Sequence, residues 1–281
     1  MVVQAEAGDW EAFAETYKRI TEGTSRKPVQ AILERLDAIR PFKDAVGILD
    51  NGCGPGTIMS QLIKEYGTSI SPSCSLTCSD YAPAMIEQVR KVQNEAVIQD
   101  PATIWGRVQG KVLDSLELKG IDDGSQSHVA AGLLYNLTLD PQKCLAECRR
   151  ILQPKGVLAV SAWEGNDWVD MMKVIPTIKP ELKHAISAKW TDASAMMIDL
   201  EQAGFQEVEV QRVPVQVVFE SHDLFVDTLL TYQPRMVALL REFSEEQKIT
   251  LKELLMGAMK GYCPREPGAL NGVVLVGTCR K

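Results

Sequence analysis

Three glycines stand one residue apart, directly after a short apolar run that ends in an acid. The stretch is ILDNGCGPGT; the glycines are Gly52, Gly54 and Gly56, and the acid is Asp50. Glycine lacks a Cβ atom and adopts positive φ readily, so this spacing predicts a tight turn whose main chain can approach a ligand closely. A helical pattern begins at Thr57. Strand, turn and helix in this order bind nucleotide-containing ligands at the edge of a parallel sheet.

Two other nucleotide sites fit this stretch less well. A P-loop requires Lys-Ser/Thr after its last glycine, whereas Gly56 is followed by Thr57-Ile58-Met59. A dinucleotide site shows GxGxxG rather than GxGxG. In addition, no tyrosine in the chain has a lysine four positions later, the pair that many short-chain dehydrogenases use. Both phosphate transfer and hydride transfer are therefore disfavoured.

The glycine turn and two later acids resemble class I S-adenosylmethionine-dependent methyltransferases. In that family the first strand ends in an acid followed by GxGxG, and an acid that closes the second strand binds the ribose hydroxyls. Asp80 occupies that second position, and Asp114 matches a third acid that contacts the adenine amino group. The resemblance implies S-adenosyl-L-methionine as cofactor and S-adenosyl-L-homocysteine as product. The residues that it assigns to the cofactor are Tyr17, Asp50, Gly52, Gly54, Gly56, Asp80, Tyr81, Met85, Asp114, Ser115 and Ala131.

Several of these assignments have a structural alternative. Tyr17 and Trp10 lie in the N-terminal helical segment, which folds over the cofactor in relatives, but aromatic residues at helical spacing are also common in cores. Met85 and Tyr81 either pack on the adenine or fill the core. Gly56 either contacts the cofactor or allows close packing of the helix.

The expected chemistry needs alignment more than acid-base catalysis. Methyl transfer from a sulphonium is an in-line displacement with a neutral leaving group, and proximity and orientation alone supply about 7 to 11 kcal/mol. The fourth predicted strand ends in the apolar sequence Ala131-Gly132-Leu133-Leu134, and no convincing base is evident. A thiol with a pKa of about 8.5 is partly ionised near neutrality, whereas an alcohol is not. The lack of a base therefore favours a sulphur acceptor.

Four residues beyond the cofactor motifs are candidates for the acceptor side. Glu164 follows the fifth predicted strand and His222 follows the sixth, so either is a weak candidate for a base. Each also has the alternative interpretation of a solvated side chain. Trp163 and Trp168 flank Glu164 and are expected either to contact the substrate or to lie in the core. No residue is assigned to a metal.

The elements that must position these residues alternate between strand and helix. This alternation predicts an α/β fold with a doubly wound, mostly parallel, seven-stranded Rossmann-like sheet. One of its strands is expected over residues 104–112. Before the first strand, apolar residues at helical spacing are interrupted by Gly23 and Pro28, which predicts two short helices that form a lid.

A long helical segment is predicted between the last two strands. Residues 223–260 are mostly apolar at helical spacing and too long for an ordinary loop. We expect a single methyltransferase domain over residues 1–281. Its parts are a lid at 10–40, a Rossmann-like core at 44–219 and 270–281, and a helical cap at 220–268.

Composition limits the partners of the chain. Its 281 residues carry 37 acids against 30 Lys and Arg, a formal charge of -7. This sign disfavours nucleic acid and anionic membrane surfaces and favours a small-molecule substrate. No secretory leader or membrane span is evident, so we expect a cytoplasmic protein, with its seven cysteines reduced. No obligate protein partner is indicated.

Within the family, the chain looks most similar to fungal secondary-metabolite methyltransferases. The N-terminal WEAFAETYKRITEGTSRKP and the DNGCGPG turn carry this resemblance, particularly to the bis-thiomethyltransferases of the gliotoxin type. It implies S-methylation of a reduced epipolythiodioxopiperazine such as dithiol gliotoxin. O- or N-methylation of another secondary metabolite, or a cofactor-binding scaffold that transfers no methyl group, remain the alternatives.

Overall fold

The computed structural model describes residues 6–138, 140–182 and 192–281, and within them seven strands form one sheet in the order β3-β2-β1-β4-β5-β7-β6. Strands β1 to β5 pair in parallel, whereas β7 is antiparallel to both β5 and β6. This arrangement confirms the predicted mostly parallel α/β fold. The strands are β1 (Gly47–Asn51), β2 (Ser75–Asp80), β3 (Val108–Val112), β4 (Gln126–Ala131), β5 (Leu152–Asn166), β6 (Gln206–Phe219) and β7 (Gly268–Arg280).

Helices cover both faces of the sheet because successive strand residues point to opposite sides. Ile48 joins the apolar core under the first three helices, while its neighbour Leu49 joins the core under the fourth and seventh. None of the described helices is both long enough and apolar enough to span a bilayer. The helices are α1 (Ala7–Ile39), α2 (Thr57–Tyr66), α3 (Pro83–Gln99), α4 (Pro141–Ile151), α5 (Asp167–Met171), α6 (Ile175–Ile178), α7 (Ala193–Gln202), α8 (His222–Tyr232), α9 (Pro234–Leu240) and α10 (Glu245–Tyr262).

The N-terminal segment is one long helix, so the prediction of two short helices was wrong. Helix α1 runs through both predicted break points, and Pro28 lies inside it. A proline in a helix interior costs about 3 kcal/mol. Burying one Ile, Leu or Val side chain contributes about 1.5 to 3 kcal/mol, and four such side chains that follow the proline are buried against the sheet: Val29, Ile32, Leu33 and Leu36. Tertiary burial therefore outweighs the local helix-breaking signal.

The third strand is shorter than predicted. Ile104–Arg107 form a 3₁₀ turn, and the strand starts only at Val108. The Gln93 side-chain amide on α3 donates to the carbonyls of Trp105 and Val108, at 2.8 and 2.9 Å, and Trp105 is buried. These contacts turn the chain before it enters the sheet.

The predicted helical insertion is present between the last two strands. Helices α8, α9 and α10 share an apolar core with α5 and α6, built on residues such as Leu229, Leu239 and Leu255. Strand β6 leads out at the edge of the sheet where the parallel strands end, because it runs antiparallel to β7 and hence in the direction of β5. The insertion therefore rises on the side of the sheet where ligands bind in such folds.

Candidate active site

The glycine turn adopts the conformation that its sequence predicts. Gly52, Gly54 and Gly56 have φ of +65°, +53° and +83°, in the left-handed region that favours glycine. A Cβ atom on Gly52 would lie 2.7 Å from the Leu134 side chain, closer than packed atoms approach. The turn therefore needs glycine both for its backbone conformation and for the space above it.

Hydrogen bonds to Asp80 connect this turn to the end of the second strand. Its Oδ2 accepts from the Gly54 amide at 2.9 Å, and its Oδ1 accepts from the Ala82 amide at 2.9 Å. Burial raises the pKa of Asp80, while these backbone hydrogen bonds oppose the rise. One carboxylate thus joins the ends of β1 and β2.

Asp50 lies beneath the turn with one oxygen unsatisfied. Its Oδ2 accepts from the Met59 amide at 3.2 Å, while Oδ1 is buried and has no hydrogen-bond partner among the described residues. Burial, together with the charge of Asp80, raises the pKa of Asp50 to about 7. A buried carboxylate of this kind is stabilised by positive charge nearby.

A cavity of about 310 Å³ opens above the turn. Its walls come from the ends of the first four strands, from α1 and from the insertion. The described residues that line it are Trp10, Asn51, Gly52, Gly54, Asp80, Tyr81, Met85, Leu113, Asp114, Ser115, Leu116, Gly132, Leu133, Leu134, Leu137, Thr138 and Arg235.

Comparison with known proteins identifies the family. A family model described as a methyltransferase domain matches residues 49–160, which include the turn and all of the described cavity lining except Trp10 and Arg235. Over 271 residues, 96% of this chain and 94% of the relative, the sequence is 62% identical to methyltransferase ucsB of Acremonium sp.. The chain is a class I methyltransferase.

More distant proteins match most of the length of this chain. Acetylaranotin bis-thiomethyltransferase of Aspergillus terreus is 25% identical over 285 residues, with 96% of this chain and 94% of the relative covered. The fold also matches phosphoethanolamine N-methyltransferase 2 of Haemonchus contortus, solved with phosphomonomethylethanolamine and S-adenosylhomocysteine. The TM-score is 0.55 at 18% identity, and 97% of this chain is covered, but the chain spans only 57% of that enzyme. This structural match supports the fold alone.

The residues of this methyltransferase fit S-adenosylmethionine, the methyl donor of its class. Bare backbone at Gly52 and Gly54 borders the cavity, and Asp80 closes the neighbouring strand. The unsatisfied Oδ1 of Asp50 lies under the same turn, where a cationic ligand is favoured. Asp80 would hold the ribose hydroxyls, and Asp114 the adenine. When bound, the cofactor supplies a methyl group activated by its sulphonium sulphur.

Most of the residues assigned to the cofactor line the cavity of the methyltransferase. They are Gly52, Gly54, Asp80, Tyr81, Met85, Asp114 and Ser115, and Trp10 of the lid joins them. Burial and nearby acids raise the pKa of Tyr81 to about 12, so its hydroxyl stays protonated near neutrality. Asp114 is held by the Leu116 amide, which donates to its Oδ1 at 2.8 Å.

Four other assigned residues are placed differently. Asp50 lies below the turn, as described above. Gly56 allows close packing against α3, because a Cβ atom on Gly56 would lie 3.2 Å from Val89 on that helix. Ala131 is buried in the core under α4. Tyr17 belongs to α1, but its side chain lies outside the described part of the structure, so its role stays a prediction.

Neither candidate base is among the described residues of the cavity wall. Arg212 forms an ion pair with Glu164, in which the Arg212 Nε lies 2.9 Å from both carboxylate oxygens of Glu164. His222 is buried at the start of α8. Its Nε2 lies 2.8 Å from the Cys263 carbonyl oxygen and its Nδ1 3.1 Å from a carboxylate oxygen of Glu266. Both residues therefore have structural partners outside the described cavity wall, and a role of either as a base stays a prediction.

The two tryptophans form a packed pair rather than a part of the described wall. Trp163 and Trp168 meet edge to face with ring centroids 4.8 Å apart, and both lie next to Gly272 on β7. A wider groove of about 780 Å³, which Glu164 borders, opens nearby. Contact of the pair with a substrate stays a prediction.

Sequence reasoning missed three polar residues of the described wall, Asn51, Thr138 and Arg235. Asn51 follows Asp50 within the motif, and its side chain is held between Ser79 Oγ at 3.3 Å and Cys148 Sγ at 3.6 Å. Arg235 comes from α9, about 180 residues from the turn in sequence. The glycine motif points to Asn51 in hindsight, but no local pattern connects Arg235 with this cavity.

Proposed function

We propose that this methyltransferase transfers a methyl group from S-adenosylmethionine to a thiol sulphur of a small natural product. A reduced epipolythiodioxopiperazine such as dithiol gliotoxin is the preferred acceptor. The runner-up is an oxygen or nitrogen atom of another secondary metabolite. The proposal excludes nucleic acid and membrane surfaces as substrates, in line with the acidic composition.

The observation that carries the proposal is the chemistry of the cavity wall beyond β4. Gly132, Leu133, Leu134 and Leu137 make this part apolar, and Thr138 adds one hydroxyl. Among the described lining residues there is no histidine, lysine, cysteine or glutamate, and the two carboxylates lie on the opposite side, after β2 and β3. A wall without a base suits a thiol, which ionises on its own near neutrality.

The residues then act mainly by positioning. Bound S-adenosylmethionine would supply the methyl group, which would pass to the acceptor's thiolate sulphur. The sulphonium carbon–sulphur bond would break, and its electron pair would stay with the departing sulphur. The thiol proton leaves to water before the attack. The three leucines exclude water from the reacting atoms, while the glycine turn and Asp80 fix the donor. The 25% identity to acetylaranotin bis-thiomethyltransferase supports a sulphur acceptor.

The test uses S-adenosylmethionine labelled at the methyl carbon. The protein is incubated with dithiol gliotoxin and, separately, with catechol and primary-amine acceptors of similar size. We expect labelled thioether and an equal amount of S-adenosylhomocysteine with the dithiol. Label found only on oxygen or nitrogen, or binding of the cofactor without transfer to any acceptor, would contradict the proposal.

Asp80→Asn provides the site-specific control. Removing a charged hydrogen-bond acceptor costs about 1.5 to 3 kcal/mol, which corresponds to roughly 10- to 150-fold weaker cofactor binding. At a cofactor concentration near the wild-type Kd, this variant should transfer little label. Equal transfer by both proteins would show that the reaction takes place elsewhere.

A further inference from the structure

The helical insertion brings an arginine to the cavity. Arg235 is the second residue of α9, whose first turn is fixed by the Gln233 side chain, which accepts from the Met236 amide at 2.6 Å. Pro234 and Met236, on either side of the arginine, are buried. Among the described residues that line the cavity, Arg235 carries the one cationic side chain.

The insertion that carries Arg235 is attached to the sheet on the same side of β1 as the leucine wall after β4. Strands β2 and β3, with Asp80 and Asp114 at their ends, lie on one side of β1 in the sheet, whereas β4, β5, β7 and β6 lie on the other. The insertion connects β6 to β7, so it belongs to the β4 side. The leucine wall after β4 belongs to the same side. Arg235 and the leucine wall therefore belong to segments attached on one side of β1, whereas the two acids belong to segments on the other side.

The surroundings of Arg235 strengthen its effect on an anion. The side chain is half-buried, and this burial lowers the pKa of its guanidinium. Arginine remains protonated even so. Because water screens charges less in such a place, a guanidinium there attracts a nearby anion more strongly than one on the surface.

We infer that Arg235 binds the acceptor sulphur in its thiolate form and so raises the reactive fraction of the substrate at neutral pH. This inference rests on the proposed thiol acceptor. The thiolate donates its electron pair to the methyl carbon and becomes a neutral thioether. The product then no longer has the charge that the guanidinium attracts, which favours its release, or its rotation to present a second thiol.

Other ionisable groups face the same space and are not substituted in any Arg235 variant. Asp80, Tyr81 and Asp114 line the cavity from the β2 and β3 side. Asp9 of α1 packs on α9 through its ion pair with Arg241. A difference between wild type and an Arg235 variant therefore reports on Arg235.

The experiment is the pH profile of single-turnover methyl transfer to a dithiol between pH 6 and 10. In Arg235→Met the midpoint of the profile should rise by about one pH unit, a size typical of losing one nearby opposite charge. The rates of variant and wild type should converge at high pH, where the thiol ionises unaided. Arg235→Lys should retain most of the wild-type midpoint, and Arg235→Gln should repeat the effect of Arg235→Met with a polar side chain.

Arg90→Met is the control. It removes an exposed guanidinium from α3, outside the described lining of the cavity, and should leave the midpoint in place. Calorimetric binding of S-adenosylhomocysteine to each variant provides the second measurement. We expect its Kd to be unchanged in Arg235→Met.

Two results would overturn the inference. One is a profile of Arg235→Met with the wild-type midpoint. The other is weaker S-adenosylhomocysteine binding at every pH without a change of midpoint, which would mean that Arg235 holds the cofactor's carboxylate. Failure of the proposed function would give a different result, because the wild-type protein itself would then transfer no methyl group to sulphur.

Discussion

At Gly52, backbone conformation and cavity space impose separate requirements. The residue has φ of +65°, and a Cβ atom there would also collide with Leu134, which lines the cavity. Gly120 has a similar φ of +83°, but nothing lies within 4 Å of a Cβ atom built there. A comparison of substitutions at the two glycines therefore separates the effect of backbone strain from the effect of crowding by Leu134.

We predict that Gly52→Ala abolishes tight cofactor binding whereas Gly120→Ala does not. Both variants should lose about 1 to 2 kcal/mol of stability, because alanine is strained in the left-handed region. Gly52→Ala should lose more, since Leu134 must also move. Isothermal titration with S-adenosylhomocysteine and urea denaturation measure the two effects. Normal binding by Gly52→Ala would show that the turn does not contact the cofactor.

Asp50 makes stability depend on pH in a defined direction. Its pKa is raised from 3.8 to about 7 in the folded protein, so between these values the unfolded chain has released the proton that the folded protein still holds. Asp50 therefore lowers the free energy of unfolding as pH rises from about 4 to about 7, and its contribution levels off above that range.

We predict that Asp50→Asn removes this decline. Without cofactor, wild type should become less stable relative to Asp50→Asn as pH rises through this window, and the difference should be constant above it. Urea denaturation at pH 4, 5.5, 7 and 8.5 gives the comparison. Parallel stability curves for the two proteins would show that Asp50 titrates in the same range when folded and unfolded.

At the scale of elements, an ion pair joins the start of α1 to the end of α9 beside the cavity. Asp9 is buried near the N-terminus of α1 and pairs with Arg241 at the end of α9, while Trp10 lines the cavity beside it. The Glu6 amide also donates to Asp9, at 2.9 Å, which fixes the carboxylate. The ion pair thus connects the lid to the insertion.

We predict that Asp9→Asn and Arg241→Met each speed up cofactor release about two- to fivefold. This range corresponds to the 0.4 to 1 kcal/mol of a partly exposed ion pair. Stopped-flow displacement of S-adenosylhomocysteine measures the rate. The double variant should release no faster than either single one, because both changes break the same contact. Additive effects would mean that the two residues act independently of each other.

At the scale of the whole molecule, the lid, the core and the insertion all contribute residues to the wall of one cavity. Strands β6 and β7 pair along most of their length on either side of the insertion, and the cavity wall draws on α1, on the core and on α9. A single domain over residues 1–281 remains a prediction.

We predict that the protein unfolds in one calorimetric transition. S-adenosylhomocysteine at 100 times its Kd adds about 2.7 kcal/mol of stability, which should raise the Tm by roughly 5 °C for a chain of this size. The whole transition should move, because the cofactor contacts parts that unfold together. Two transitions, of which only one responds to the cofactor, would show that the insertion is a separate domain.

The sequence by itself determined the family, the mostly parallel sheet and much of the cavity lining around the glycine turn. These features depend on short-range patterns. Glycines at positive φ, an acid at the end of a strand and alternating apolar residues have the same consequence wherever they occur in a parallel sheet. Gly52, Gly54, Asp80 and Asp114 could therefore be assigned from the chain alone.

The tertiary structure decided the features that depend on contacts between segments far apart in the sequence. Pro28 stays inside a helix because four apolar side chains after it are buried on the sheet, and His222 and Glu164 are held by partners that local sequence does not reveal. Arg235 reaches the cavity only because an insertion between β6 and β7 folds back over the end of the sheet. Burial, charge environment and contact between remote residues are properties of the packed chain, so no local pattern contains them.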